Sequence, residues 1–520
     1  MNAKLNLNLG FLLLMGVLFN GCYQVDYSDP RVFRYNESAG LSTLDPAHSR
    51  SLEIMWVVDA LYDGLVELDE NLNIKPAIAE SWEVSGNTYT FYLRDGVKFA
   101  SGRQVEAKDV VYSFNRLLDP KVASSGSWIL ESVQSIELID SNTVQITLEK
   151  YFPPFLGLLT STYASIVDSE AVGSFRSKPA GTGPFKLAWW EEEVALVMHK
   201  NPNYWEVDSL GQTLPYLEAV HVDFVPDMAA EYLGLVQGRY DFISGLHPAY
   251  MEDLMDENGD LADKHRSSLN LFKAPFLKTD YIGVLIGDGG DVAAQSAQVR
   301  RALSMSVDRK GIAKHLRRNS VLPSDRFVPP MMPGACSYTP PVYDPELAEK
   351  LLSNLKGTKL TISTTADYVD LCSAIQFSWG NLGLNVEIDV APSSVQREKV
   401  ATSQAELFKK SWLADYADAE NFLGLFREAN FSPGGPNYTH YSNEEFEALY
   451  DSAMVETSDS LRWKLYSKMD SIIHNDMPVI PLFHDQVTHF VSNEVSGWKV
   501  SPVNRLDLRR VKLSCANAQN

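Results

Sequence analysis

Cysteine is scarce in this 520-residue chain, with only Cys22, Cys336, Cys372 and Cys515 present. There is no CxxC pair and no Cys/His spacing suited to zinc. The ten histidines are scattered. His484 and His489 are five apart and His440 stands alone, so no metal site is expected. Catalytic signatures are missing too. No G-x-S-x-G elbow, H-E-x-x-H, Walker loop or strand-linked G-x-G-x-x-G occurs, which argues against a hydrolase or a nucleotide-dependent enzyme. Basic charge is also short. Lys and Arg number 45 against 67 Asp and Glu, for a formal charge of −22. Such a surface repels nucleic acid and anionic lipid, so nucleic acid is not an expected partner. The N-terminal apolar run, Leu9–Phe19, is eleven residues long. A spanning helix needs about 20, so this run is not a stable anchor.

What the N-terminus does contain is ordered. Lys4, the short apolar run and Asn20-Gly21-Cys22 follow one another as in a secretory signal. A cysteine directly after a small residue resembles a bacterial lipoprotein signal. Residues 1–21 would be removed and Cys22 lipidated, giving an exported protein held to a membrane by lipid. Phe19 stands where such signals usually have leucine. The remaining chain of about 500 residues exceeds what one core supports, roughly 250–300, so two or three domains are expected. Hydrophobic content of 45% and charged content of 22% are ordinary for globular proteins. With Cys22 lipidated, three cysteines allow one internal pair in three ways. Cys336 with Cys372 is the expected pair, being nearest in sequence.

Strands and helices mix along the chain. Tyr89–Leu93 and Val144–Leu148 read as strands, rich in aromatic and β-branched residues. Val110, Val111, Phe114, Leu117 and Leu118 have helical spacing, ended by Pro120. Ser442-Asn443-Glu444-Glu445 reads as a capping box opening a helix with Phe446, Leu449, Tyr450 and Ala453 on one face. Lys359–Thr364, a helix around Ala374–Leu382, and Val386–Val390 predict a parallel strand pair with a helical crossover. The class is mixed α/β.

One segment carries recognisable chemistry: Ser411-Trp412-Leu413-Ala414-Asp415-Tyr416-Ala417-Asp418-Ala419-Glu420-Asn421-Phe422, after the basic pair Lys409-Lys410. A carboxylate among aromatic rings suits a cationic ligand, through a strengthened ion pair and cation–π contact. On residue chemistry alone a second reading stands beside it: a strand end, a helix-capping Asp418 and ordinary core aromatics.

Here the chain resembles the oligopeptide- and dipeptide-binding proteins of bacterial ABC importers, the family 5 extracellular solute-binding proteins. Ser42-Thr-Leu-Asp-Pro46, Ala60–Glu67, Pro76–Trp82 and the long stretch Tyr89–Leu118 carry the resemblance. So do Gly181–Phe185, Asn201-Pro-Asn-Tyr-Trp205, Val299–Ser304 and His440-Tyr441-Ser442, in the family's order. Ala100 departs from the polar residue more often found there. The resemblance implies a periplasmic-binding-protein-like α/β fold with two main lobes around a hinge and an inserted third α/β lobe. Mapped here, lobe I is 23–69, 182–275 and 486–513, the inserted lobe II is 70–181, and lobe III, closing over ligand, is 276–485. The hinge would lie near Ala274-Pro275 and His484-Asp485. It implies a monomer that binds peptide without a cofactor, closes, and docks on a permease.

Residue by residue, the resemblance places Asp415 on the ligand's α-amine, with Trp412 as a wall, and Tyr416 and Tyr441 nearby. Carboxylate-receiving positions fall at Lys409 and at uncharged Val400, with Arg397 one helical turn before it. An acidic family position on the first lobe falls near Arg50, and the arginine of the dipeptide form has no counterpart in Thr364–Asp370. The family's disulfide cysteine beside the tryptophan is Leu413. Other family ligands (metal chelate, haem, oligosaccharide) remain alternatives, as do a secreted hydrolase and a peptide-sensing receptor.

Overall fold

The computed structural model describes residues 31–245, 248–287, 290 and 293–514. The expected signal segment, residues 1–21, and both Cys22 and Cys515 lie outside them. One mixed sheet of eleven strands runs through the molecule. In chain order these are β1 (Val32–Asn36), β2 (Phe185–Glu191), β3 (Ala195–Lys200), β4 (Ala219–Asp223), β5 (Phe242–Ser244), β6 (Leu269–Val284), β7 (Val321–Pro323), β8 (Lys359–Thr364), β9 (Asn385–Val390), β10 (Leu407–Leu413) and β11 (Val479–Ser492). Across the sheet they run β9-β8-β10-β6-β11-β5-β1-β4-β3-β2, with β7 added on β11.

β6 and β11, at 16 and 14 residues, are long enough to serve both halves of the sheet. β11 takes β5 around Phe490 and β7 around His484. β6 takes β10 over Lys278–Val284. The β6–β11 pairing slips between Pro275 and Thr279, opposite Gln486 and His484. Pro275 has no N–H to give to a ladder, and such irregularities bend a strand.

A separate antiparallel sheet joins, in spatial order, residues Ala79–Ser85, Thr88–Leu93, Thr143–Leu148 and Val133–Asp140. Alternate residues Tyr89, Phe91, Leu93, Val144, Ile146 and Leu148 point into its core. Helix α2 (Ala107–Leu118) closes that core with Val110, Phe114 and Leu117, and ends before Pro120 as its sequence predicts. Helix α1 (Leu52–Leu61) packs Trp56, Val57 and Leu61 on the β1 side of the main sheet. At Gly181 and Gly183 a Cβ would lie 2.3 and 2.4 Å from Leu61 backbone atoms, so this Gly-Thr-Gly-Pro turn is a close backbone contact rather than a phosphate loop.

The expected strand–helix–strand unit forms as β8, α3 (Val369–Asn381) and β9, with β8 and β9 parallel. The cap before α5 (Glu444–Val455) falls one residue later than expected. Asn443 accepts from the Phe446 N–H at 3.0 Å, while Ser442 donates to Glu428 at 3.3 Å. Asn443 also donates to Asp476 at 3.1 Å, on α6 (Asp459–Asp476), which fixes it in the capping position.

The pleat of β6 and β10 sorts their side chains to two faces. Ile282, Val284 and Leu407 join the core under α3, and Leu277, Tyr281 and Phe408 the core under α5 and α6. This corrects the expected disulfide. Cys336 and Cys372 are both free thiols. Cys372 is buried in the α3 core, whereas the Cys336 thiol is 3.5 Å from the Ser467 carbonyl on α6. The sheet separates them, which nearness in sequence could not reveal. Among the described residues no helix is long and apolar enough to cross a membrane.

Candidate functional site

Strands β9, β8 and β10 are parallel, so their C-terminal ends open on the same edge of the sheet. Ligands of α/β sheets gather at that edge. Asp415 stands there, two residues past β10. It is solvent-exposed, yet the surrounding protein desolvates its carboxyl enough to raise its pKa. Among the described residues no cation lies within ion-pair distance of it.

Asn421 organises this corner. Its Oδ1 accepts from the Trp412 indole N–H at 2.9 Å and from the Asp415 backbone N–H at 3.2 Å. Its Nδ2 donates to Asp415 Oδ2 at 3.2 Å. The loop is pinned from below as well. The hydroxyls of Tyr416 and Tyr450 both donate to buried Glu420. Tyr416 also packs against the core of the four-stranded sheet, 4.0 Å from where a Gly157 Cβ would sit. Asp418 accepts from the Glu420 N–H at 2.9 Å, and burial pushes its carboxyl up to about 7. Asp418 thus ties down the start of the short helix Glu420–Leu423 from one position before its cap residue, Ala419, and Asp415 takes no part in that contact. Asp418 serves the local structure, and Asp415 is the aspartate of the two left open to solvent.

Lys409 is not where a ligand could reach it. Its side chain is 1% exposed and its ammonium is paired with Asp280. The ammonium also lies 3.7 Å over the Tyr368 ring and donates to the Lys410 carbonyl at 3.1 Å. Asp280 in turn sits 3.4 Å from Lys278, which pairs with Asp485 at 2.5 Å. The expectation that Lys409 receives a ligand carboxylate is therefore corrected: its charge is neutralised inside the sheet, and withdrawing it would strand a buried anion.

Its neighbour Lys410 points to the opposite face of β10. Its ammonium lies 3.8 Å over the Tyr438 ring, without a carboxylate partner among the described residues. Burial pulls its pKa down to about 8, and the positive charge of Arg397 pulls the same way. Arg397 is exposed on α4 (Ser393–Ala401) and likewise has no carboxylate partner there. Lys410 is a candidate the sequence reading passed over. The alternation of a strand offered a signal, since adjacent lysines on one strand must face opposite ways.

The other expected residues stand apart. Arg50 is exposed just before α1, and no hydrogen bond or ion pair joins it to the Asp415 loop among the described residues. Tyr441 is corrected to a core residue. It is buried, and its hydroxyl donates to Asp476 at 2.6 Å. The described residues hold no group of three or more His, Cys, Asp and Glu side chains able to hold a metal.

Comparison with known proteins agrees with this architecture. Residues 73–433 match the family described as bacterial extracellular solute-binding proteins, family 5 middle. The chain is 29% identical over 487 residues to heme-binding protein A of Haemophilus influenzae, covering 85% of each. It superposes on HbpA2 from Haemophilus parasuis with a TM-score of 0.84 at 25% identity, covering 93% of this chain and 100% of that one. The ABC transporter-associated periplasmic binding protein DppA of Helicobacter pylori, solved with the peptide STSA, gives a TM-score of 0.70 at 26% identity, covering 93% and 98%.

Proposed function

The chain belongs to family 5 of the bacterial extracellular solute-binding proteins, which bind solutes rather than transform them, and on that premise we propose that it captures short peptides with a free amino terminus for the permease of an ABC importer. The observation that carries this reading is Asp415. A carboxylate at the C-terminal edge of the parallel strands β8, β9 and β10, beside Trp412 and with no cation among the described residues, lacks only its counter-ion. A peptide's α-ammonium supplies one whatever the peptide's sequence. Lys410 with Arg397 offers the matching positive end for the peptide carboxylate.

The same reading divides the chain into lobe I (23–69, 182–275, 486–513), inserted lobe II (70–181) and lobe III (276–485). Its support is the slip in β6–β11 pairing at Pro275–Thr279, a bend in the two strands that run through both halves of the sheet. Rotation there would close lobe III over the ligand, and the closed form would dock on the permease. Lipid on Cys22 would hold the monomer at the membrane outside the cytoplasm.

The test is native mass spectrometry of protein purified from its host, followed by calorimetry. A retained peptide, and a loss of roughly 30-fold or more on Asp415→Ala, are expected, because closure would bury the exposed Asp415 with the ammonium, and removing one partner of a buried charge pair costs about 2–5 kcal/mol. A second reading takes its cue from the relative named for haem. Retained haem, chelate or sugar, with affinity unchanged in Asp415→Ala, would replace the peptide reading.

A further inference from the structure

Beyond the ammonium partner itself, we infer that Asn421 is the positioning residue that selects for it, by donating to one oxygen of Asp415 and leaving the other free. This rests on the peptide reading of the same site, but its core is measurable without any ligand. The orientation of the Asn421 carboxamide is fixed by its neighbours. Two donors, the Trp412 indole N–H and the Asp415 backbone N–H, converge on one side of it, at 2.9 and 3.2 Å. Only the carbonyl oxygen can face two donors. The amide NH2 must therefore face Asp415, where it lies 3.2 Å from Oδ2.

Three consequences follow for the site. A donor at Oδ2 stabilises the ionised carboxylate and works against the desolvation that raises its pKa. Oδ1 has no donor among the described residues, so the open position accepts hydrogen bonds only. It is complementary to a donating cation and mismatched to a carboxylate or a carbonyl. The same carboxamide also locks the indole of Trp412, so the ring wall and the anion are set by one side chain. Asn421 is adjacent to Glu420, whose tyrosine contacts anchor the loop. Its position is thus set by the buried layer rather than by the ligand.

The test compares Asn421→Ala, Asn421→Asp and Asn421→Gln in the full-length protein. A carboxyl-carbon NMR titration of the ligand-free protein, assigned with Asp415→Asn, should show the Asp415 pKa rising in Asn421→Ala and rising further in Asn421→Asp, where an acid replaces the donor. With trialanine and N-acetyl-trialanine as probes, Asn421→Ala should weaken the free-amine peptide roughly tenfold, the usual worth of a hydrogen bond to a charged group. The acetylated peptide should lose less, only what the loosened Trp412 wall costs. Combining Asn421→Ala with Asp415→Ala should add little to the latter alone. An unmoved Asp415 pKa, or equal losses for both peptides, would make Asn421 a merely structural residue and overturn the inference. If instead Asp415→Ala and acetylation both leave wild-type affinity unchanged, or trialanine does not bind, the peptide reading fails while the titration still decides the role of Asn421 toward Asp415.

Discussion

The ammonium of Lys409 and the carboxylate of Asp280 face each other across adjacent strands, both less than 3% exposed. In the ladder Asp280 lies opposite Ser411, two residues from Lys409, so the pair is a diagonal one on a single face of the sheet. The two partners are not equivalent. Asp280 has a second cation, Lys278, at 3.4 Å, whereas Asp280 is the one carboxylate on Lys409 among the described residues.

That asymmetry sets the first prediction. Asp280→Asn leaves a buried ammonium uncompensated and should cost about 3–5 kcal/mol. Lys409→Met leaves Asp280 with Lys278 and should cost less. Neither should change peptide affinity more than about threefold if the folded fraction is taken into account. Urea unfolding of both variants, with calorimetry at a denaturant-free endpoint, checks the order. A larger loss for Lys409→Met, or a large affinity loss without unfolding, would return Lys409 to the ligand.

The contrast between Lys409 and Lys410 shows where the sequence is legible and where it stops. Local pattern was enough for Tyr89–Leu93, α2 and the β8–α3–β9 unit, because alternation, helical spacing and Pro120 act within a few residues. The motif carrying Asp415 and Trp412 was legible for the same reason. Lys409's partner is 129 residues away, and that of Tyr441 is 35 residues away. No local signal announces either. The free state of Cys336 and Cys372 likewise depends on which face of a shared sheet each occupies, a property of the assembled fold.

A second prediction concerns pH and Asp418. Burial holds its folded pKa at about 7, above an ordinary aspartate at about 4. The folded protein therefore binds this proton more tightly than the unfolded chain does. Its contribution to stability is greatest below pH 4 and is lost as pH rises through 7. Asp418→Asn keeps an acceptor for the Glu420 N–H but cannot ionise. Relative to wild type it should gain stability between pH 5 and pH 8. Chemical denaturation at the two pH values tests this, and a parallel shift of both proteins would refute the assignment.

The third prediction is a simple one about attachment. If Cys22 carries lipid, Cys22→Ser should move the protein from detergent-extracted membrane to the soluble fraction. Mass measurement of the wild-type N-terminus should show diacylglycerol on that cysteine. An unmodified N-terminus would remove the anchor.

The last prediction concerns the positive end of the site. Lys410 and Arg397 carry charges unneutralised by the protein among the described residues, and the lowered pKa of about 8 means Lys410 is ready to give up its proton. A ligand carboxylate should reverse this, since an adjacent anion favours the charged form. Peptide acids should therefore bind more tightly than the matching C-terminal amides at pH 7. That advantage should shrink as pH rises through 8 and Lys410 loses charge in the free protein. The peptide's own amine also titrates near pH 8, so absolute affinities fall for both ligands. The ratio of acid to amide affinity cancels the amine and isolates Lys410. Lys410→Met should flatten that ratio across pH 6–10, and Arg397→Ala should lower it at every pH by a smaller factor, because an exposed charge is screened by solvent. Calorimetry of the acid above pH 8 should show more proton uptake in wild type than in Lys410→Met, where only the peptide's amine takes up a proton. An acid-to-amide ratio near one at pH 7 would place the carboxylate elsewhere in the site and leave Lys410 as a cation held only by the face of Tyr438.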